Sequence, residues 1–181
     1  MSIYVSEGDQ KPILLAPPGT HQAVCYNIWE LGLQEQEFQG KKVTLDKIMF
    51  GWELNEIIPE GDFDGKRFVA TKTYTKSLWK KANLFLDLTS WRGKPFTTEE
   101  LKKFDIEKMI GVNCMLNVVH VIGKSGREYV KVAGVLALPK GMSTMKAENE
   151  RTTPKWIQEI IDKQFELFEP VRTTDGEDVP F

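Results

Sequence analysis

The chain has 181 residues, of which 41% are hydrophobic and 28% are charged, and its formal net charge is −2. This length and composition predict one globular domain with terminal extensions and exclude a low-complexity chain. The longest apolar runs, such as residues 132–138, are too short to cross a bilayer, and residues 1–11 lack the pattern of a signal peptide. We therefore expect a soluble, cytoplasmic protein that does not engage a membrane.

The first half of the chain is predicted to form three strands. Residues 1–19 are polar and rich in turn-forming residues, which is typical of a loosely held N-terminal arm. Residues 20–33 and 43–54 mix β-branched, aromatic and polar residues, with a turn at Gly40 between them, and so predict the first two strands. A loop rich in Pro and Gly follows, and residues 67–75 alternate as a third strand.

The hydrophobic period changes after the third strand. In residues 77–91 the apolar side chains recur at spacings of three and four, which predicts a helix with Ser77 as its N-cap. A Gly-Lys-Pro sequence ends this helix. Thr97 and Glu100 then match the capping box of a second, short helix.

The last third of the chain is predicted to add a hairpin and an amphipathic helix. Residues 112–122 and 127–138 read as two strands joined by a tight Gly-Lys-Ser-Gly-Arg turn. Pro154 suits the first turn of a helix whose apolar residues follow at helical spacing. Residues 142–168 are therefore predicted to be a linker and a C-terminal helix, and residues 169–181 an acidic tail.

These elements follow the order three strands, one helix and a two-stranded hairpin. That order is typical of the OB-fold, a five-stranded and partly open barrel. We therefore predict a mainly β protein in which residues 20–141 form a five-stranded OB-fold barrel, with a helix between strands 3 and 4 and an appended C-terminal helix. Other small β-rich folds share this order, and a fold alone does not establish a function.

The sequence contains no recognisable catalytic or metal-binding motif. His21 and His120 stand alone in strand segments, and Cys25 and Cys114 are isolated in apolar surroundings, which favours reduced, buried thiols. Neither a Gly-rich phosphate loop nor a serine-hydrolase motif is found. We therefore expect that the protein is not an enzyme and needs no cofactor or metal.

Basic and aromatic residues concentrate between residues 66 and 94. This stretch contains eight bases and one acid, Asp87. Binding of single-stranded nucleic acid without sequence preference requires cations for the phosphates and flat side chains on which bases stack. One face of the third strand combines both groups, which makes Tyr74, between Lys72 and Lys76, the strongest single candidate.

The residues predicted to contact DNA extend from the second strand to the turn of the hairpin. They are Lys47, Trp52, Arg67, Phe68, Lys72, Tyr74, Lys76, Trp79, Lys80, Arg92, Lys94, Lys124, Arg127 and Tyr129. The tryptophans could equally belong to the core, because aromatic side chains bury well. The lysines of a helix face could equally be solvated without any ligand.

The chain ends in an acidic and then apolar sequence, DGEDVPF. It resembles the acidic C-terminal tip of bacterial single-stranded-DNA-binding proteins, in which the tip docks onto replication and repair proteins. The resemblance implies partner-binding roles for Asp175, Glu177, Asp178, Val179, Pro180 and Phe181, with the terminal ring in an apolar pocket of the partner. The match departs from that family at Gly176 and Glu177, which interrupt the usual aspartate run, and in its short connection to the preceding helix.

The body of the chain resembles a second family. The sequences TKTYTKSLWKKANLFLDLTSWRGKPFT, FDIEKMIGVNCMLNVVH and AGVLALPKG, within residues 17–141, are similar to small bacteriophage proteins thought to be OB-fold single-stranded-DNA-binding proteins. Together the two resemblances imply a protein of the host-cell cytoplasm that binds single-stranded DNA in phage replication or recombination. They also imply recruitment of replication, recombination or repair proteins of host or phage.

Three further questions stay open at the level of sequence. The barrel could instead bind another protein, as a recombination mediator or an anti-defence factor. It could also bind duplex DNA or RNA. Self-association into a homo-oligomer is compatible with the sequence as well.

Overall fold

The computed structural model describes residues 14–168. Its strands are β1 (Gly19–Phe38), β2 (Lys41–Ile57), β3 (Arg67–Thr75), β4 (Asn113–Ile122) and β5 (Glu128–Ala137). Its helices are α1 (Asn83–Arg92), α2 (Thr98–Lys102) and α3 (Lys155–Phe168), with a short 3₁₀ turn at Ile106–Met109. The strands form one antiparallel sheet in the order β3-β2-β1-β4-β5.

The predicted mainly β architecture is confirmed in its coarse form. Five antiparallel strands are present, α1 is the next element of the chain after the third strand, and another helix ends the described chain. β3 and β5 are the two edges of the sheet, and α1 packs against both of them. In residues 14–168 no ladder of hydrogen bonds joins these edges, so the sheet is open and not a closed barrel.

β1 is long because it belongs to both halves of the sheet. Residues from Gly19 to Val24 pair with β4, whereas those from Ala23 to Phe38 pair with β2. The pairing with β2 shifts register after Cys25 and again after Glu30, and such bulges bend a strand and increase its twist. Beyond Val24, the edge of β1 that faced β4 has no strand beside it in the described chain.

The ends of β1 and β2 extend further than predicted. Both strands continue past Leu33 and Val43 into a hairpin whose last pair is Phe38 and Lys41. Its two-residue turn, Gln39 and Gly40, has positive φ angles of 49° and 77°, which matches the right-handed twist of the strands. We call residues 33–46 the β-ribbon.

The first helix begins later than its period predicts. α1 starts at Asn83 after Ala82, which makes no side-chain capping bond, so the prediction of Ser77 as its N-cap is wrong. The Ser77 hydroxyl accepts a hydrogen bond from the Trp79 amide instead, at 3.2 Å, and holds a local turn. Residues 77–82 therefore form a loop, which we call the Trp79 loop. The capping box of α2 is confirmed.

Apolar residues are buried on both faces of the sheet. The inner face packs against α1, with Phe50, Trp52 and Trp91 among the buried rings. The outer face carries a smaller cluster, which comprises Tyr26, Trp29, Leu31, Met49 and Ile157. Because Ile157 belongs to α3, the C-terminal helix covers this part of the outer face.

The segment predicted to be a linker lies across the outer face of the sheet. Residues 142–154, which we call the strap, bond to four strands through their own backbone. The contacts are Gln22 with Ser143, Asn113 with Met145, Arg67 with Lys146, Glu53 with Glu148 and Asn149, and both Asn27 and Trp29 with Thr152. The strap therefore ties strands that are distant in sequence.

The N-terminal segment and the cysteines are also packed. Ala16, which belongs to the predicted arm, is buried, and its carbonyl oxygen lies 2.7 Å from His120 Nε2. Cys25 and Cys114 are buried and free, which confirms the prediction. Burial raises the pKa of the Cys25 thiol to about 12 and raises that of Cys114 as well. Within residues 14–168 no helix is long and apolar enough to cross a membrane.

Gly51 makes room for the outer-face rings, and its replacement by Ala is expected to cost about 1–3 kcal/mol of stability. A Cβ there would lie 2.7 Å from the Trp29 ring and 2.9 Å from the Tyr26 ring. Thermal or urea unfolding measures the loss. Gly134→Ala is the matched control, because only one atom, at 4.0 Å, approaches its new Cβ. Equal stability of the two variants would contradict the packing at Gly51.

Candidate nucleic-acid interface

The two faces of β3 have opposite roles, and the face predicted to bind DNA is the inner one. Phe68 and Tyr74 are only 8% and 3% exposed, and both belong to the core. The Tyr74 ring meets Phe50 edge to face at 5.5 Å, and its hydroxyl donates to Asp87 Oδ2 at 2.6 Å. The prediction that Phe68 and Tyr74 stack on bases is therefore wrong for this structure, since neither ring offers a face to a ligand.

The prediction that Trp52 contacts DNA is wrong for the same reason. Its side chain is fully buried, and its ring stacks on Phe50 with centroids 5.6 Å apart. Trp91 approaches the same pair of rings from α1, at 5.9 Å from Trp52. These rings hold the helix on the sheet, which is the role that the alternative reading of the tryptophans anticipated.

Lys72 is neutralised by the only acid of the basic stretch. Its ammonium lies 2.6 Å from Asp87 Oδ2 and 5.1 Å from the centroid of the Tyr74 ring. Burial and the Asp87 charge raise the pKa of Tyr74, so its hydroxyl stays protonated and donates to the same carboxylate. Lys72, Tyr74 and Asp87 thus form one internal network, and Lys72 is not available to a phosphate.

Three other predicted cations also have carboxylate partners. Lys76 bonds to Glu30, which raises the pKa of Lys76, and its Nζ lies 4.0 Å from Asp46. Arg67 bonds to the Lys146 carbonyl at 2.7 Å and to Glu148 at 3.2 Å. Arg92 bonds to Glu100 at 2.7 Å, and its guanidinium lies 4.2 Å from the Phe96 ring centroid. These cations fasten the strap and the α1–α2 corner, so the local excess of positive charge is smaller than the sequence suggests.

The outer face of β3 is polar and only partly covered. Thr71, Thr73 and Thr75 alternate with the buried residues, and the sequence analysis did not select them. Lys47 of the neighbouring strand donates to Thr75 Oγ1 at 2.9 Å, and partial burial lowers the pKa of Lys47. The repeated Thr-x-Thr-x-Thr pattern was the available signal, because an alternating strand with an aromatic inner face must turn its small polar residues outward.

The Trp79 loop holds the most accessible ring among the predicted residues. Trp79 is 65% exposed, and the ammonium of Lys81 lies 5.7 Å from its ring centroid. Lys80 and Lys94 are exposed too. Within the described chain, Lys80, Lys81 and Lys94 make no ion pair with a carboxylate.

The predicted hairpin residues lie at the other end of the sheet. Lys124 and Arg127 are exposed in the β4–β5 turn, and Tyr129 beside them is half exposed. The β4–β5 turn lies near the start of β1, because β4 pairs with the first residues of that strand. The Trp79 loop lies at the base of the β-ribbon, because the Lys76 amide, just before the loop, bonds to the Asp46 carbonyl. The structure therefore separates the predicted site into two basic groups at opposite ends of the sheet.

Sequence reasoning missed a third aromatic and basic pair. Phe63 is exposed in the β2–β3 loop, and Lys66 Nζ lies 5.7 Å from its ring centroid. The Asp-Phe-Asp-Gly sequence indicated a turn, and an apolar ring at a turn is exposed unless another element covers it. This loop joins the end of β2 to the start of β3, where Ile57 pairs with Arg67. It is at the same end of the sheet as the β4–β5 turn, because this end of β2 lies just beyond the residues that pair with the start of β1.

A cleft of about 810 Å³ lies along the unpaired edge of β1. Ile28, Phe104 and Ile106 supply apolar walls. Its charged lining residues are three carboxylates and two cations, namely Glu30, Asp105, Glu107, Lys76 and Arg151. Both cations are engaged by these acids, so the cleft is unsuited to a phosphate backbone.

No cluster of residues in the described part of the chain could hold a metal ion. The predicted partner-binding residues, Asp175, Glu177, Asp178, Val179, Pro180 and Phe181, lie outside the described residues. The arrangement that is described offers an exposed indole beside the Lys81 ammonium, with the exposed Lys80 between them in sequence, and this combination can stack on a base while it contacts phosphates. No protein-family model matches the chain, and a search of curated proteins finds no match either.

Proposed function

We propose that the protein binds single-stranded DNA with little sequence preference. The observation that carries the proposal is the Trp79 loop, where the Lys81 ammonium lies 5.7 Å from an exposed indole, and where neither Lys80 nor Lys81 forms an ion pair with a carboxylate of residues 14–168. A base stacks on such a ring whatever its identity, and each ammonium replaces a counterion of the phosphate backbone.

The strand order supports an OB-fold as the scaffold of this function. The first strand is shared by the two halves of the sheet, a helix follows the third strand, and that helix bridges the edges of β3 and β5. In an OB-fold the face of strands two and three and the adjoining loops bind oligonucleotides. Under this proposal the outer face of β3, with its threonines and the neighbouring Lys47, is the corresponding face.

The proposed setting is phage DNA replication or recombination in the host cytoplasm. It rests on the resemblance of residues 17–141 to bacteriophage proteins and of the DGEDVPF sequence to the bacterial docking tip. Under this proposal the tip recruits replication, recombination or repair proteins. A pull-down with and without Val179–Phe181 tests that part separately from DNA binding.

A titration of labelled poly-dT tests the binding function itself. Duplex DNA and single-stranded RNA of equal length are the comparisons, each across a salt series. We expect poly-dT to bind most tightly and the logarithm of its binding constant to fall linearly with the logarithm of salt concentration. Equal affinity for the duplex, or an absence of binding at low salt, would contradict the proposal.

Trp79→Ala is expected to weaken binding of poly-dT by about 1–3 kcal/mol, because a base loses its stacking partner. The stability of the fold is expected to stay within about 0.5 kcal/mol of the original, since the ring is exposed. Leu86→Ala is the matched control, because Leu86 is an exposed apolar residue outside the Trp79 loop. An unchanged affinity of a folded Trp79→Ala protein would remove this ring from the site.

Protein binding is the second candidate, and the cleft along β1 favours it. The cleft has apolar walls, and its rim carries more carboxylates than cations, which suits a partner with apolar and basic side chains. This candidate function predicts that the full-length protein binds none of the nucleic acids in the titration. Substitutions on the rim, such as Glu107→Lys, would then reduce partner binding.

A further inference from the structure

The outer face of the sheet carries two aromatic rings below the β-ribbon, and both are covered. Tyr26 and Trp29 meet edge to face, with ring centroids 5.7 Å apart. The other described rings of β1–β3 outside the ribbon, namely Phe50, Trp52, Phe68 and Tyr74, point to the inner face. If bases stack on this sheet, Tyr26 and Trp29 are thus the rings in position to receive them.

These rings adjoin the uncovered part of β3. In the register of the sheet, Gly51 is opposite Thr71, and Met49, which is opposite Trp29, is also opposite Thr73. The Trp29 ring extends over Gly51, where any Cβ would lie 2.7 Å from it. A glycine within a central strand marks a close approach, and here it allows a ring to lie directly against the backbone.

The cover is α3, attached mainly through isoleucines. Ile157 is fully buried against the rings, and Ile160 and Ile161 pack at its side. One hydrogen bond reaches the helix itself, from Gln34 Nε2 to the Ile160 carbonyl at 3.1 Å, and a second, from Trp29 Nε1 to the Thr152 carbonyl at 3.1 Å, holds the strap just before it.

The opposite side of α3 is polar and exposed, as at Gln158, Glu159 and Asp162. A helix of 14 residues gains most of its stability from such a packed apolar face. α3 is therefore an amphipathic element whose docking depends on a few contacts with the aromatic cluster.

We propose that Tyr26 and Trp29 form a base-stacking platform for single-stranded nucleic acid, and that α3 and the nucleic acid compete for this platform. The inference rests on the proposed function, and it adds a second stacking site and a control element to the Trp79 loop. A strand that crosses β3 along its threonines reaches these rings only when α3 has left them. The nucleic acid binds only the protein molecules in which α3 has left the rings. Its apparent affinity is therefore the intrinsic affinity multiplied by the fraction of molecules in which the rings are uncovered.

Loosening α3 in the full-length protein tests the competition. Ile157→Ser removes the central apolar contact, and we expect it to bind a fluorescein-labelled oligo-dT about tenfold more tightly, as the uncovered fraction rises. Gln158→Ser, one residue further along the exposed side, is the matched control and is expected to leave affinity unchanged. Combining Ile157→Ser with Tyr26→Leu and Trp29→Leu should abolish the gain, because apolar side chains replace both rings.

Hydrogen exchange gives a readout that does not depend on these variants folding. Saturating oligo-dT should reduce the protection of the α3 amides in the unaltered protein. Unchanged protection overturns the competition, as does a folded Ile157→Ser protein that binds no more tightly. A gain that persists without the two rings overturns the platform.

The failure of the inference is distinguishable from failure of the proposed function. If the unaltered protein binds oligo-dT and Trp79→Ala weakens it, while Ile157→Ser changes nothing, the function stands and the platform falls. If no form of the protein binds oligo-dT at low salt, both fall.

Discussion

Glu53→Ala is expected to lower the free energy of unfolding by about 3 kcal/mol or more. The carboxylate is fully buried and accepts hydrogen bonds from the amides of Glu148 at 2.8 Å and 3.0 Å and of Asn149 at 3.2 Å. Arg67 lies 3.9 Å from it. Truncation leaves two strap amides and a largely buried guanidinium without this acceptor, and each unsatisfied buried group costs about 1–3 kcal/mol.

Urea unfolding measures this loss, and hydrogen exchange at Glu148 and Asn149 shows whether the strap has detached. Glu53→Gln keeps the shape and one carbonyl oxygen, so a smaller loss is expected. Glu56→Ala is the matched control on the same strand, because Glu56 is partly exposed and its carboxylate lies 3.3 Å from His21 Nδ1, away from the strap. A Glu53→Ala protein as stable as the Glu56→Ala protein would mean that the strap does not depend on this carboxylate.

Tyr74→Ala is expected to destabilise the fold by about 3–5 kcal/mol, the usual cost of deleting a large buried aromatic side chain. The ring packs on Phe50, and the hydroxyl and the Lys72 ammonium both donate hydrogen bonds to Asp87 Oδ2. Tyr74→Phe should cost about 1 kcal/mol, because Asp87 keeps its bond to Lys72. The affinity of the folded fraction for poly-dT is expected to stay unchanged.

Calorimetry and poly-dT titration at a temperature where Tyr74→Ala is folded separate the two effects. Thr73→Ala is the control on the neighbouring, outward position, where a change of stability within about 0.5 kcal/mol is expected. A marked loss of affinity at unaltered stability would instead place Tyr74 in contact with the strand.

The sequence predicted which residues of β3 share a face but not which face points inward. Alternation correctly grouped Phe68, Lys72 and Tyr74, since successive side chains of a strand point to opposite sides. A lysine between two rings looks like part of a ligand groove when only the strand is considered. The decisive partner, Asp87, comes from α1, and its placement depends on tertiary packing that no local pattern contains.

The β-ribbon and the strap were missed for a different reason. The end of β1, residues 34–38, is polar because most of the ribbon is solvated, so it lacks the apolar alternation of a half-buried strand. The strap bonds mainly through its backbone, which carries no sequence signature. One signal was available: Glu53 lies between Trp52 and Leu54, and a carboxylate inside a buried strand requires partners from another segment.

The strap also determines when the fold can be completed during synthesis. β1–β5 precede residues 142–154 in the chain, so the backbone partners of Glu53, Asn27 and Asn113 are synthesised after all five strands. Contacts of such large sequence separation form late, because loop closure costs entropy before the contact repays it. A chain that ends after residue 141 is therefore expected to leave these three polar side chains without their strap partners.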